Sequence, residues 1–233
     1  MRGRDCTVVM ARQPVPGSTK TRLAAAVGDG PASSLYEAFL LDTLATCREV
    51  DADLLISYAP DSPRTERYVR RIAPDALLAA QPDAPFGVRL AAAMQSAFDH
   101  GFRRVAVIGS DIPHVTSTAV DRAFVSLDGY DMALGPTRDG GYYLLALRAP
   151  APGLFRGIDW SSGRELGQTL DRARELGLRV TALEETFDID DAGDLAALRD
   201  LIALNGPGIC PRTAAVLSNT DPASFSEVGT ASR

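Results

Sequence analysis

A chain of 233 residues, 45% of them apolar, is long enough to bury a sizeable core as one large domain or a domain with a tail. Its formal net charge of −6 argues against non-specific nucleic-acid binding, and the longest early apolar run, Val8 to Ala11, is too short for a signal peptide or membrane span. Three scattered cysteines, Cys6, Cys47 and Cys210, lack metal spacing and read as free thiols, so a cytoplasmic protein is expected.

In chain order, Cys6 to Ala11 reads as a buried strand followed by a Pro/Gly-rich loop and a short helical segment near Leu23 to Val27. Pro31 to Glu49 carries a helical apolar stripe at Leu35, Phe39, Leu40, Leu44 and Cys47. A strand at Leu54–Tyr58, a helix at Pro63–Ile72, a short strand at Leu77–Ala79 and an alanine-rich helix at Val88–Phe98 follow. The β-branched strand Val105–Ile108 runs into Gly109-Ser110-Asp111, and a helix spans about Thr116 to Leu127. Strands at Met132–Leu134 and Tyr142–Leu147 flank a turn, and a helix at Ser162–Leu176, a strand at Arg179–Leu183 and a helix at Ala192–Leu204 complete the pattern.

Such alternation predicts a three-layer α/β/α sandwich around a mostly parallel sheet, with ligands outside the carboxyl ends of the strands. The expected transferase domain covers 1–205, a short helix covers 206–217, and the polar, Ser/Thr-rich stretch 218–233 reads as disordered.

Of the 24 basic residues, 23 are arginine, and the single lysine, Lys20, lies in the loop Arg12-Gln13-Pro14-Val15-Pro16-Gly17-Ser18-Thr19-Lys20-Thr21-Arg22. An ammonium is a compact point charge suited to a phosphate cluster, and backbone amides at a helix start attract anions. The loop is not a Walker A motif, because Pro14 and Thr19 stand where that motif needs glycine. Asp111, closing a central strand, either holds Mg²⁺ or starts a turn. Among the acids of Asp188-Ile189-Asp190-Asp191-Ala192-Gly193-Asp194, Asp191 and Asp194 read as helix-capping groups and Asp190 as a partner for Asp111 around one ion. Gly140 and Gly141 in the Asp139-Gly140-Gly141-Tyr142 segment permit either close ligand approach or a tight hairpin. Gln81 and Gly87 either read a nucleobase or, with Gln81-Pro82, form a plain loop; Trp160, Ser161 and Ser162 either bind an acceptor or cap a helix.

Together, ARxPxPGxxKTRL, GSDxP, GPxxDGGYYL, IxW-S and DIDxxxDL resemble, over roughly Val8 to Leu201, a domain-of-unknown-function family of GT-A-like transferases. Its members are described as glycosyltransferases near radical-SAM or arsenosugar genes. More distantly the pattern is similar to 2-phospho-L-lactate and molybdenum-cofactor guanylyltransferases. The resemblance implies that Arg12, Gly17, Lys20 and Arg22 belong to the phosphate loop, with Lys20 and Arg22 as its charged contacts. It implies base reading by Gln81 and Gly87, and Mg²⁺ (or Mn²⁺) held by Asp111 and Asp190. It places Asp139 to Tyr142 and Trp160 to Ser162 against the acceptor.

Two reactions fit. In nucleotidyl transfer, a phosphorylated acceptor attacks the α-phosphorus of a nucleoside triphosphate, and the positive charge of Lys20 and Arg22 offsets the triphosphate. In glycosyl transfer from a nucleotide-sugar to a small hydroxylated acceptor, a base is required, and Asp139 is the only candidate. Charge favours the first. A non-catalytic nucleotide-binding protein is the third reading. Neither a nucleic acid nor a membrane is an expected partner, and the sequence leaves oligomeric state open.

Overall fold

Near-continuous apolar runs with no polar face belong to strands covered on both sides, and five of the strands are of this kind. The computed structural model describes residues 5–219. They contain seven strands: β1 (Asp5–Arg12), β2 (Asp53–Ala59), β3 (Leu77–Ala80), β4 (Arg104–Gly109), β5 (Met132–Pro136), β6 (Tyr142–Leu147) and β7 (Val180–Ala182). They form one sheet in the order β3-β2-β1-β4-β6-β5-β7, in which only β6 runs antiparallel to its neighbours. The helices are α1 (Thr21–Val27), α2 (Asp29–Arg48), α3 (Pro63–Ile72), α4 (Phe86–Asp99), α5 (Ser117–Ser126), α6 (Glu165–Glu175), α7 (Ala192–Asn205) and α8 (Pro211–Asn219).

The described residues fall into two compact units. The first, 5–12, 46–109 and 116–187, holds the whole sheet. One sheet face, with Val8, Leu55, Val107, Leu134 and Leu145, forms a core with Leu90 and Met94 of α4 and Ala173 of α6. Helix α5 packs on β4, β5 and β6, and α3 packs on β2; neither joins that cluster, so they cover the other face. The sequence dictates where several helices start. Ser62 accepts the Thr65 amide at 3.2 Å ahead of Pro63, and Thr116 accepts the Ala119 amide at 3.2 Å. Helix α6 begins at Glu165, three residues later than its periodicity suggests, because Ser161 adopts a left-handed φ of 62° and 159–164 fold as a turn.

The second unit, 13–45, 110–115 and 188–219, contains α1, α7, α8 and most of α2. Helix α1 packs on α7. Buried Asp42 of α2 accepts the Arg212 and Thr213 amides at 3.1 and 2.8 Å, capping α8. A 3-10 turn at Pro207–Ile209 precedes α8. Apart from Ser218 and Asn219, which close α8, the stretch expected to be a disordered tail lies outside the described residues. Among the described residues, no helix is long and apolar enough to cross a membrane. All three cysteines are buried free thiols, and burial pushes Cys47 up to about 12.

Candidate active site

Gln13 to Lys20 connects β1 to α1 through Pro14, Pro16 and Gly17, residues that bend the chain. The loop is braced from within. The Thr19 hydroxyl, 5% exposed, accepts the Val15 amide at 3.2 Å and donates to the Gln13 carbonyl at 3.4 Å. Lys20 follows in a left-handed conformation, φ 51°, an uncommon state for a residue with a Cβ and one that persists only where the surroundings enforce it.

The surroundings are carboxylates. Lys20 Nζ donates to Asp111 Oδ2 at 2.9 Å and to Asp190 Oδ1 at 2.6 Å, with its side chain only 9% exposed. Arg22, largely in solvent, lies 3.7 Å from Asp190 Oδ2. Burial alone pulls the Lys20 pKa down. The two acids more than reverse that, so it ends above the ordinary lysine value and the ammonium stays charged.

Each acid is held by its own stretch of chain. Ser110 places Asp111 through a buried 2.8 Å hydrogen bond between its hydroxyl and that of Tyr36, and the Asp111 carbonyl accepts the Ile189 amide at 3.1 Å. Asp190 sits at the entry to α7. There Asp191 is the N-cap, accepting the Gly193 and Asp194 amides, while Asp194 Oδ2 accepts the amides of Asp190 and Asp191 at 2.9 and 3.1 Å. This reciprocal capping box accounts for Asp191 and Asp194. Asp188 is a third acid at the site. Its carboxylate lies with those of Asp111 and Asp190 in a group whose ligand atoms are all within 4.8 Å of one another. Asp188 carries no motif role of its own, although the alternation Asp188-Ile189-Asp190, with Ile189 fully buried, puts both acids on one side of an extended segment.

Three clustered carboxylates offer the hard oxygen donors that Mg²⁺ or Mn²⁺ takes, and a cation, the Lys20 ammonium, already bridges two of them. The residues fit a divalent ion.

Apart from Gly17, the remaining motif residues lie in the sheet unit, and most have structural contacts there. Gln81, 4% exposed, donates to the Ser57 carbonyl at 2.7 Å, and its side-chain Oε1 accepts from Arg89 Nη1 at 2.8 Å, so its amide is engaged inside the fold. Gly87 is required by packing: a Cβ there would lie 2.6 Å from Trp160 Nε1. Trp160 itself packs edge-on against Phe86 at 4.8 Å. Asp139 Oδ1 accepts from the Thr137 hydroxyl at 2.6 Å and from the Gly141 amide at 3.1 Å, a turn-closing pair. Gly140, φ 90°, passes so near the Gly163 carbonyl that a Cβ would stand 2.1 Å from its oxygen. Tyr142 packs against the core cluster, and burial, opposed by Thr169 and aided by Glu165, raises its pKa. The Ser162 amide donates to Glu165 Oε1 at 2.7 Å, the helix-entry alternative for this turn. Arg12 is exposed at the end of β1, opposite Ala59, and Gly17 takes a positive φ of 78° in the loop of the second unit.

The sheet order, with its lone antiparallel strand, and the acid-lined loops define a GT-A-like fold of the nucleotide-diphospho-sugar transferase type. The family model described as "Uncharacterized protein conserved in bacteria (DUF2064)" matches residues 40–162, and the chain belongs to that family. A crystal structure described as a "putative nucleotide-diphospho-sugar transferase from Desulfovibrio desulfuricans G20" is 35% identical, with a TM-score of 0.88, covering 95% of this chain and 96% of that one. A nucleotidyl transferase from Methanothermobacter thermautotrophicus shares the fold at 16% identity and TM-score 0.60, over 87% of this chain and 99% of its own. CMP:2-keto-3-deoxy-manno-octonic acid synthetase, solved with CTP, does so at 16% and 0.51, over 86% and 99%. No curated protein sequence matches the chain.

Proposed function

We propose that this protein is a Mg²⁺-dependent nucleotidyltransferase that joins a nucleoside triphosphate to a phosphorylated small-molecule acceptor and releases pyrophosphate. The observation that carries the reading is the Lys20 ammonium held between Asp111 and Asp190, with Asp188 alongside. Such a cluster matches a ligand bearing several negative charges together with a divalent cation.

Asp111, Asp190 and Asp188 would hold the ion, which when bound supplies charge neutralisation for the phosphates. Lys20 gives up its carboxylates for that to happen, and the triphosphate offers its ammonium new oxygen partners. Arg22, exposed on its long side chain, adds a second positive charge. The acceptor phosphate oxygen attacks the α-phosphorus; that P–O bond forms as the bond to the β-phosphate oxygen breaks, and pyrophosphate leaves with the electron pair. A phosphate nucleophile is already ionised, so the step needs positioning and electrostatics and no general base.

The lack of a base requirement separates this reading from glycosyl transfer to a hydroxyl, whose only candidate base, Asp139, has one oxygen tied into its turn. Glycosyl transfer stays as the second reading because the 35%-identical relative is described by a nucleotide-diphospho-sugar. Fold alone does not choose between them. Incubation with each triphosphate, Mg²⁺ and a panel of sugar phosphates and phosphorylated hydroxy acids is expected to release pyrophosphate. Release of a nucleoside diphosphate from a nucleotide-sugar, without pyrophosphate from any triphosphate, would replace the first reading by the second.

A further inference from the structure

Helix α4 is apolar on two sides. Leu90, Ala93 and Ala97 belong to the sheet core, whereas Val88, Ala91 and Phe98 follow at helical spacing along a second stripe. That stripe and the loop from Pro150 to Trp160 enclose a cavity of about 480 Å³ within the sheet unit. Pro150, Pro152, Gly153 and Gly157 keep the loop out of regular structure, so it walls the space without filling it. Two anchors fix the wall. Leu154 is fully buried in the core cluster, and Trp160 packs edge-on against Phe86 at 4.8 Å. Val88, 53% exposed, and Ala91 lie where the cavity meets solvent.

Polar side chains on this apolar lining are few. Gln95 donates to Asp99 at 2.8 Å and is engaged. Arg156, an exposed lining residue, forms no ion pair among the described residues, and the Trp160 indole N–H has no hydrogen-bond acceptor among them. A second arginine reaches the same wall. Arg172 Nη2 donates to the Gly153 carbonyl at 3.3 Å, while its Nη1 is paired with Glu175. Gly153 has a φ of 90°, and the place a Cβ would take there is 4.0 Å from Arg156 Nε and 3.9 Å from Arg172 Nη2. Two guanidinium groups therefore converge on a bare glycine of the lining. Glu175 balances one of them, which leaves the single charge of Arg156 for a ligand to meet. Clefts of ~300–1,000 Å³ with an apolar lining and a few placed donors are the usual form of a small-molecule site.

We infer that the cavity between α4 and the loop from Pro150 to Trp160 binds a small apolar carboxylate, its body against Val88, Ala91, Phe155 and Trp160 and its carboxylate on Arg156 beside Gly153. At ~30 Å³ for each water-sized group the space holds about sixteen of them, the scale of a medium-length acyl chain or a pair of aromatic rings. No residue of the Lys20 cluster lines the cavity, and the inference stands whether or not the nucleotidyltransferase reading does.

Trp160 is the only tryptophan of the chain, so tryptophan fluorescence reports directly on the cavity wall. Decanoate, decanol and decyltrimethylammonium, each below its micelle concentration, are titrated into the full chain while that signal is followed. Decanoate is expected to give a saturable change, decanol to bind about tenfold more weakly, and the cation not to bind. Arg156→Gln should bring decanoate down to the affinity of decanol. Ala91→Phe, which fills the cavity from an exposed helix position, should abolish binding of both. Thermal melts establish that the two variants are folded. No saturable change with any probe, equal affinity for all three, or decanoate binding unaltered in either variant overturns the site. A wild-type dimer in sedimentation velocity that Ala91→Phe makes monomeric also overturns it, because a second copy of the chain would then cover this face.

Discussion

In the sheet unit, most polar motif residues are occupied by the fold itself, whereas in the second unit four charged side chains are gathered with little structural return. Gln81 ties α4 to β2, Asp139 closes a turn, and Gly87 and Gly140 make room for Trp160 and the Gly163 backbone. Removing any of these would be felt as lost stability. Lys20, Asp111, Asp188 and Asp190 are different. Desolvating an ammonium and two carboxylates costs as much as their attraction returns, so a partly buried cluster of this kind is weak evidence of a stability role. The proposed function accounts for it as a site for a ligand. On the proposed function, the contrast separates residues that build the scaffold from residues that would meet a substrate, and a shared motif does not distinguish them.

Substitutions in the two units should therefore fail in different ways. The largest effect is expected at the cluster. Asp111→Ala or Asp190→Ala should lower metal-dependent turnover on the order of a hundredfold or more, while the thermal midpoint barely moves. A melt that collapses along with activity would erase the distinction.

Next is the lysine itself. If Lys20 stands where a divalent ion must sit, Lys20→Met should tighten Mn²⁺ binding in the absence of nucleotide by about tenfold, measured by the electron paramagnetic resonance of free Mn²⁺. Arg22→Met is the control, since it removes an equal charge that does not bridge the acids, and it should change affinity by about threefold or less. Equal effects would reduce the role of Lys20 to its charge alone.

Scaffold glycines should show the opposite pattern. Gly140→Ala places a Cβ 2.1 Å from a backbone oxygen at a φ of 90°, and Gly87→Ala drives one into the Trp160 indole. Losses of about 3 and about 1–2 kcal/mol are expected in denaturant melts, the smaller where a side chain rather than backbone must shift. Turnover per folded molecule should change far less than stability.

The smallest effect is a pH dependence in the sheet. Hydrogen bonding from Arg179 holds the Asp131 carboxyl below the usual aspartate range and ties the chain entering β7 to β5. A folded pKa below the unfolded one contributes stability that is full above the unfolded value, near 3.9, and is lost as pH falls through the folded one. Asp131→Asn should thus lower the thermal midpoint at pH 7, and the gap from wild type should close in acid.

How much of this was legible in the sequence follows the same division. Strand order aside, the sheet could be read because runs such as Cys6 to Ala11 and Val105 to Ile108 carry their burial in their composition. The approach of Lys20 to Asp111 and Asp190 was suggested by their places after strand ends and by motif resemblance, but 91 and 170 residues separate the partners and no local pattern encodes the contact itself. Asp188 was readable from its alternation with Ile189, yet four neighbouring acids obscured which were caps. Thr19, Ser110 and Arg89 carry no local signal: each acts through a hydrogen bond that only the folded chain creates. Gln81 and Gly87 are ambiguous in the sequence because a glutamine amide and a bare glycine serve packing as readily as recognition.

The most direct test of the central claim is a pyrophosphate-release assay with each nucleoside triphosphate, Mg²⁺ and phosphorylated acceptors, run on the wild type beside Asp111→Asn. Pyrophosphate that depends on Mg²⁺ and on acceptor, and that disappears in the variant, is the expected result. A nucleoside diphosphate formed from a nucleotide-sugar, with no pyrophosphate from any triphosphate, would contradict it.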